Sequence, residues 1–96
     1  MIVRIVRMTF DVKDIATFKK DFASSYFLIR NFEGCENLQL FEDKDQPNVI
    51  ITYSYWRTPE HLENYRKSDV FKSTWAKVKP LFITAPHAFS MVATTY

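Results

Sequence analysis

The chain has one cysteine, one glycine and two histidines among its 96 residues. A lone Cys35 excludes an internal disulfide and a thiolate metal cluster, which agrees with a reducing compartment, so the cytoplasm is the expected location. There is no cofactor loop and no nucleophilic triad. The two histidines, His61 and His87, fall in different predicted elements without a carboxylate spacing that would join them, so no metal site is expected. Long apolar runs are absent too: the opening MIVRIVRMTF alternates and is broken by arginines, too short for a signal peptide core or a membrane span. Charge of one sign is also scarce. At a formal net charge of +2, Arg4, Arg7, Lys19, Lys20, Lys67 and Lys72 are scattered among acids and make no basic stripe, so neither nucleic acid nor membrane is an expected partner.

Aromatic residues, in contrast, are abundant. Nine Phe, five Tyr and two Trp bring the aromatic content to 17% and the hydrophobic content to 47%. A chain of this length fits a single domain over residues 1–96, and one small protomer has limited capacity to bury so much apolar surface. A homodimer is therefore expected. The first predicted strand, residues 2–10, sharpens this: Ile2, Arg4, Val6, Met8 and Phe10 lie on one side, Val3, Ile5, Arg7 and Thr9 on the other, and both sides are apolar. Two-sided apolarity suggests that both faces of the sheet are covered, one by helices of the same chain and the other by something else, such as a second subunit's sheet.

Asp11 can cap a helix entered at Val12, with Asp14 in its first turn. Ile15, Phe18, Phe22, Tyr26 and Ile29 recur at spacings of three and four and form a stripe facing the sheet. That helix ends before Gly34, placed where a turn with positive φ is expected. Residues 36–42 and 49–56 read as a hairpin around DKDQPN. Thr58 and Pro59 then open a short helix with Leu62 and Tyr65 on its apolar face, and Ser68 opens another carrying Phe71, Thr74, Trp75 and Val78 until Pro80 stops it. Residues 87–94 form the last strand. The predicted fold is α+β: a ferredoxin-like βαββαβ order with the second helix split. Two such sheets packed face to face make a dimeric α+β barrel.

Residues 56–75, WRTPEHLENYRKSDVFKSTW, carry a resemblance to a known family. Trp56 ending the third strand, the helix start at Thr58-Pro59, and the run Lys67-Ser68-Asp69-Val70-Phe71-Lys72 resemble the antibiotic biosynthesis monooxygenases, which include quinol monooxygenases and IsdG-type heme-degrading enzymes. The element order extends the resemblance over essentially the whole chain. The heme-degrading branch uses an asparagine on the first strand, a tryptophan in the split helix, and a histidine four residues after the phenylalanine of SDVF. Those places hold Val6, Tyr65 and Trp75. Indole has no lone pair for a metal, and valine cannot hydrogen-bond bound oxygen. The resemblance therefore implies the cofactor-free branch, with no heme and no other cofactor, in which an aromatic or quinol-type molecule held as its anion itself reduces dioxygen. The alternative is a non-catalytic dimeric protein of the same fold that binds a hydrophobic small molecule, heme included.

Such chemistry needs an apolar slot, an acid-base group and positioning. Tyr65 and His61 are the candidate catalytic residues, and Arg4, Val6, Phe22, Tyr26, Phe71 and Trp75 the candidate substrate-binding ones. Each has a plainer reading. Trp75 and Tyr65 could be core aromatics at helical spacing, His61 a solvated first-turn residue, Arg4 a strand arginine reaching water, and His87 a structural residue sharing a side with Phe89 and Met91. Space between Phe22, Tyr26, Phe71 and Trp75 decides between a binding pocket and a packed core.

Overall fold

Alternation does produce a strand at the start of the chain: in the computed structural model, which describes residues 1–95, β1 runs over Ile2–Thr9. It sits inside a four-stranded antiparallel sheet of order β2-β3-β1-β4, with β2 at Cys35–Glu42, β3 at Val49–Trp56 and β4 at His87–Val92. The helices are α1 (Ile15–Arg30), α2 (Pro59–Arg66) and α3 (Asp69–Val78). This is the ferredoxin-like α+β fold with its second helix in two pieces. Among the described residues, no helix is long and apolar enough to cross a membrane.

The period of two fixes what each sheet face carries. Registers Val3↔Tyr55, Ile5↔Tyr53 and Arg7↔Ile51 put one set of side chains together, and Arg4↔Ser54, Val6↔Thr52 and Met8↔Ile50 put the other set on the opposite face. The second set meets the helices. There Met8, Leu38, Ile50 and Trp56 pack with Phe18, Phe22 and Ile29 of α1, Leu62 of α2 and Val78 of α3. Burying side chains of this size stabilises the fold by roughly 1.5–3 kcal/mol each.

Local chemistry ends the elements. Asp11 caps a short 3-10 turn, Val12–Asp14, by accepting from the Lys13 N–H at 3.1 Å, and the α-helix proper starts only at Ile15, with no side-chain cap from Asp14. The predicted cap thus works, but on the 3-10 turn that precedes the helix it was expected to open. Gly34 adopts φ +89°. A Cβ at that position would lie 2.2 Å from His61 Cγ, so both backbone and packing require glycine. Thr58 Oγ1 accepts from the His61 N–H at 3.2 Å with Pro59 at the first turn, and Ser68 Oγ accepts from the Phe71 N–H at 3.1 Å, as the sequence predicts. Pro80 falls in a 3-10 turn, Lys79–Leu81, that follows α3, and β4 stops at Val92 rather than residue 94.

Candidate active site

Between the helix-facing side of the sheet and the three helices lies a cavity of about 420 Å³. Its size is that of a small-molecule site. Val6 and Met8 of β1, Leu38 of β2 and Thr52 of β3 form its floor, Phe18 and Phe22 of α1 one wall, and Tyr65, Phe71 and Trp75 the opposite wall. Phe22, Phe71 and Trp75 therefore do not fill the space between helix and sheet.

The walls belong to a continuous train of rings. Trp56 stacks on Tyr65 at 4.8 Å, Tyr65 meets Phe71 edge-on at 5.3 Å, and Phe71 stacks on Trp75 at 5.8 Å. From Trp75 the contacts pass to Phe82, Phe10, Phe18 and Phe22 at centroid distances of 5.5, 5.5, 4.5 and 5.9 Å. Rings held against rings keep the wall rigid, since offset and edge-on pairs each add about 0.5–1.5 kcal/mol beyond burial. The train is anchored at Trp56, whose indole N–H donates to Ser54 Oγ at 2.9 Å.

Tyr65 contributes more than a ring. Burial, with a smaller contribution from nearby Cys35, pushes its phenol well above the usual range. It is therefore a neutral hydroxyl at physiological pH and a hydrogen-bond donor rather than a base. Among the described residues its hydroxyl has no hydrogen-bond partner, yet no side-chain polar atom is buried without one, so this hydroxyl borders open space.

The only formal charges lining the cavity are positive. Arg4 reaches in from β1 and Arg66 from the end of α2, and no Asp, Glu, His or Lys is among the lining residues. Burial lowers the Arg4 pKa, the neighbouring Arg66 charge lowers it further, and Glu63 partly opposes both. Arg4 Nη1 donates to Ser90 Oγ at 3.1 Å, and Arg66 Nη1 meets Glu63 Oε2 at 3.3 Å.

Arg4, Val6, Phe22, Tyr65, Phe71 and Trp75 thus line a single cavity. The structure does not bring two other candidates to it. Tyr26 lies over a separate shallow groove with Ala23, Phe27 and Leu40, and its hydroxyl donates to the Leu38 carbonyl at 3.2 Å. Helical rotation explains the difference: eleven residues at about 100° each bring Ile29 nearly back to the direction of Phe18, whereas eight leave Tyr26 about 80° away. His61 covers Gly34, with Nδ1 2.7 Å from Thr58 Oγ1, and is not part of the cavity lining. His87 pairs with Arg7 on the opposite sheet face and packs on Phe89 at 5.8 Å. The sequence reading missed Arg66. Its spacing of four from Leu62, on the face that Tyr65 shares, was the available signal.

The donors present do not suit heme. Neither histidine lines the cavity, and Cys35 is buried outside it. Met8 is a lining thioether without a histidine to serve opposite it. Among the described residues no three His, Cys, Asp or Glu side chains are grouped to hold a metal ion.

Comparison with known proteins places this arrangement in a family. A structure described as an antibiotic biosynthesis monooxygenase matches with a TM-score of 0.91 at 15% identity, over 99% of this chain and 100% of that one. Rv0793 from Mycobacterium tuberculosis matches with a TM-score of 0.89 at 16% identity, over 99% and 96% of the two chains. A conserved protein from Methanosarcina mazei Go1 matches at 0.88 and 15%, over 95% and 91%. At these identities the likeness establishes the fold. No curated protein matches the chain by sequence. The sequence pattern of the antibiotic biosynthesis monooxygenase family, however, matches residues 1–77, and the chain belongs to that family.

Proposed function

We propose that this protein is a cofactor-independent monooxygenase acting on an aromatic or quinol-type molecule bound in the cavity between sheet and helices. The observation that carries the reading is the composition of the lining: aromatic walls, a neutral Tyr65 hydroxyl and no charge but the two guanidiniums of Arg4 and Arg66. The positive charge of Arg4 and Arg66, at the end of the cavity nearest solvent, favours the anionic ring over the neutral phenol, so the substrate proton can pass to water at that end without a protein base. The ring anion then donates an electron to dioxygen, and the radical pair recombines to a ring hydroperoxide after protonation. Loss of water from the C–H and O–O bonds leaves a quinone carbonyl. One oxygen atom enters the product and the other leaves as water. Tyr65 donates a hydrogen bond to the anionic oxygen, and the ring walls orient the substrate and exclude solvent.

The working unit we propose is a homodimer formed through the sheet face that carries no helices. Phe41, Phe89 and Met91 are exposed there beside Ile5, Ile51, Tyr53 and Tyr55, an apolar surface suited to a second copy of itself. Oxygen uptake with a panel of quinols and anthrone-type phenols tests the activity. Uptake that falls roughly a hundredfold in Tyr65→Phe and persists in His61→Ala is the expected result. No uptake above the protein-free rate with any member of the panel overturns the enzyme reading and leaves a binding protein of the same fold.

A further inference from the structure

We infer that Arg4 and Arg66 together form a carboxylate site at the mouth of the cavity, so the molecule it takes is an aromatic monocarboxylic acid. This deepens the oxygenase reading and rests on it only for the fate of the ring. The two arginines come from β1 and α2, yet line the same cavity. Arg66 is exposed and Arg4 half-buried, so the charged end is the end nearest solvent. Among the described residues each guanidinium makes one side-chain hydrogen bond, Arg4 to Ser90 and Arg66 to Glu63. A guanidinium has five N–H donors in a planar fork, so both retain donors for a ligand.

Like charges brought close repel, and Glu63 offsets only part of that repulsion for Arg4. One further negative charge between the two would remove it. A carboxylate suits the pair because its two oxygens can each accept from a separate fork, and its single charge leaves one of the two positive charges to favour the ring anion. It also arrives ionised at neutral pH, which suits a cavity whose only basic side chains, the two arginines, are already protonated. Beyond the arginines the lining turns to Tyr65, Phe71, Trp75, Phe22 and Phe18, so the group attached to the carboxylate is a flat ring.

The test is binding followed by quenching of tryptophan fluorescence, Trp75 being in the wall, with benzoate and 1-naphthoate against their uncharged amides, and hexanoate as an aliphatic acid. The aromatic acids should bind at least about tenfold tighter than the amides, and tighter than hexanoate. Arg66→Gln and Arg4→Gln should each abolish the preference over the amide, with far-UV circular dichroism unchanged. Lys77→Gln, on the exposed side of α3, should retain it. Equal binding of acid and amide, no binding of either aromatic acid, or a preference that survives Arg66→Gln overturns the carboxylate site. Hexanoate binding as tightly as the aromatic acids overturns the ring assignment. Oxygen uptake with uncharged quinols is read separately, so an active oxygenase without acid preference refutes this inference and leaves the proposed function standing.

Discussion

On the helix side of the sheet Met8, Ile50 and Trp56 are at most 2% exposed, whereas on the other side Phe41, Phe89 and Met91 retain 42–47% of their surface. Both faces are made by the same strands, at alternate residues, from similarly apolar side chains. What separates them is the partner. α1, α2 and α3 cover the first face but stand off from it far enough to leave a cavity, and no element of the described chain covers the second. The helix-covered face keeps a cavity whose walls the aromatic train braces. An uncovered face offers a smooth apolar surface for a flat partner, which we propose is a second copy.

The contrast predicts mutational effects of decreasing size. Trp56→Ala removes the anchor of the ring train from the fully buried face, and urea denaturation should show a loss of about 3–5 kcal/mol. If the loss is under about 1 kcal/mol, the helix-side core does not carry the fold. Ile5→Lys on the opposite face should leave the unfolding midpoint of the protomer nearly unchanged but weaken self-association at least about tenfold in sedimentation equilibrium. An unaltered association constant would remove that face from the dimer. Gly34→Ala combines a left-handed backbone with a Cβ placed against His61, and should cost at least about 1–2 kcal/mol in the same urea experiment.

The smallest effect concerns Tyr65. Its raised pKa means that above about pH 10 the unfolded chain loses a proton that the folded chain keeps. Stability from this group is therefore full below pH 10 and declines as pH rises toward the folded-state value. Tyr65→Phe should flatten that decline relative to the wild type when unfolding is followed between pH 9 and 11 (an interval of about one unit on either side of the ordinary tyrosine value). Parallel pH profiles for the two proteins would mean that Tyr65 is not shielded from water.

Much of the scaffold was legible because its signals are local. Thr58-Pro59 and Ser68 start helices by their own hydrogen-bonding chemistry, Gly34 marks a backbone that other residues avoid, and alternation in β1 assigns Arg4 and Val6 to one face. The cavity was only partly legible. Helical spacing gave Phe22, Tyr65, Phe71 and Trp75, but the same spacing could not say that Tyr26 had rotated off the cavity, or that His61 would turn to cover Gly34. Those outcomes depend on the angle at which each helix crosses the sheet.

The order of elements, the helix starts at Thr58 and Ser68 and the two apolar sheet faces are thus written in the sequence, since periodicity and turn chemistry act between near neighbours. Only the tertiary packing leaves a cavity inside the aromatic train and brings Arg4 and Arg66 to the same lining. Packing makes neighbours of residues far apart in the chain, and the free volume left over depends on how all the rings fit together at once.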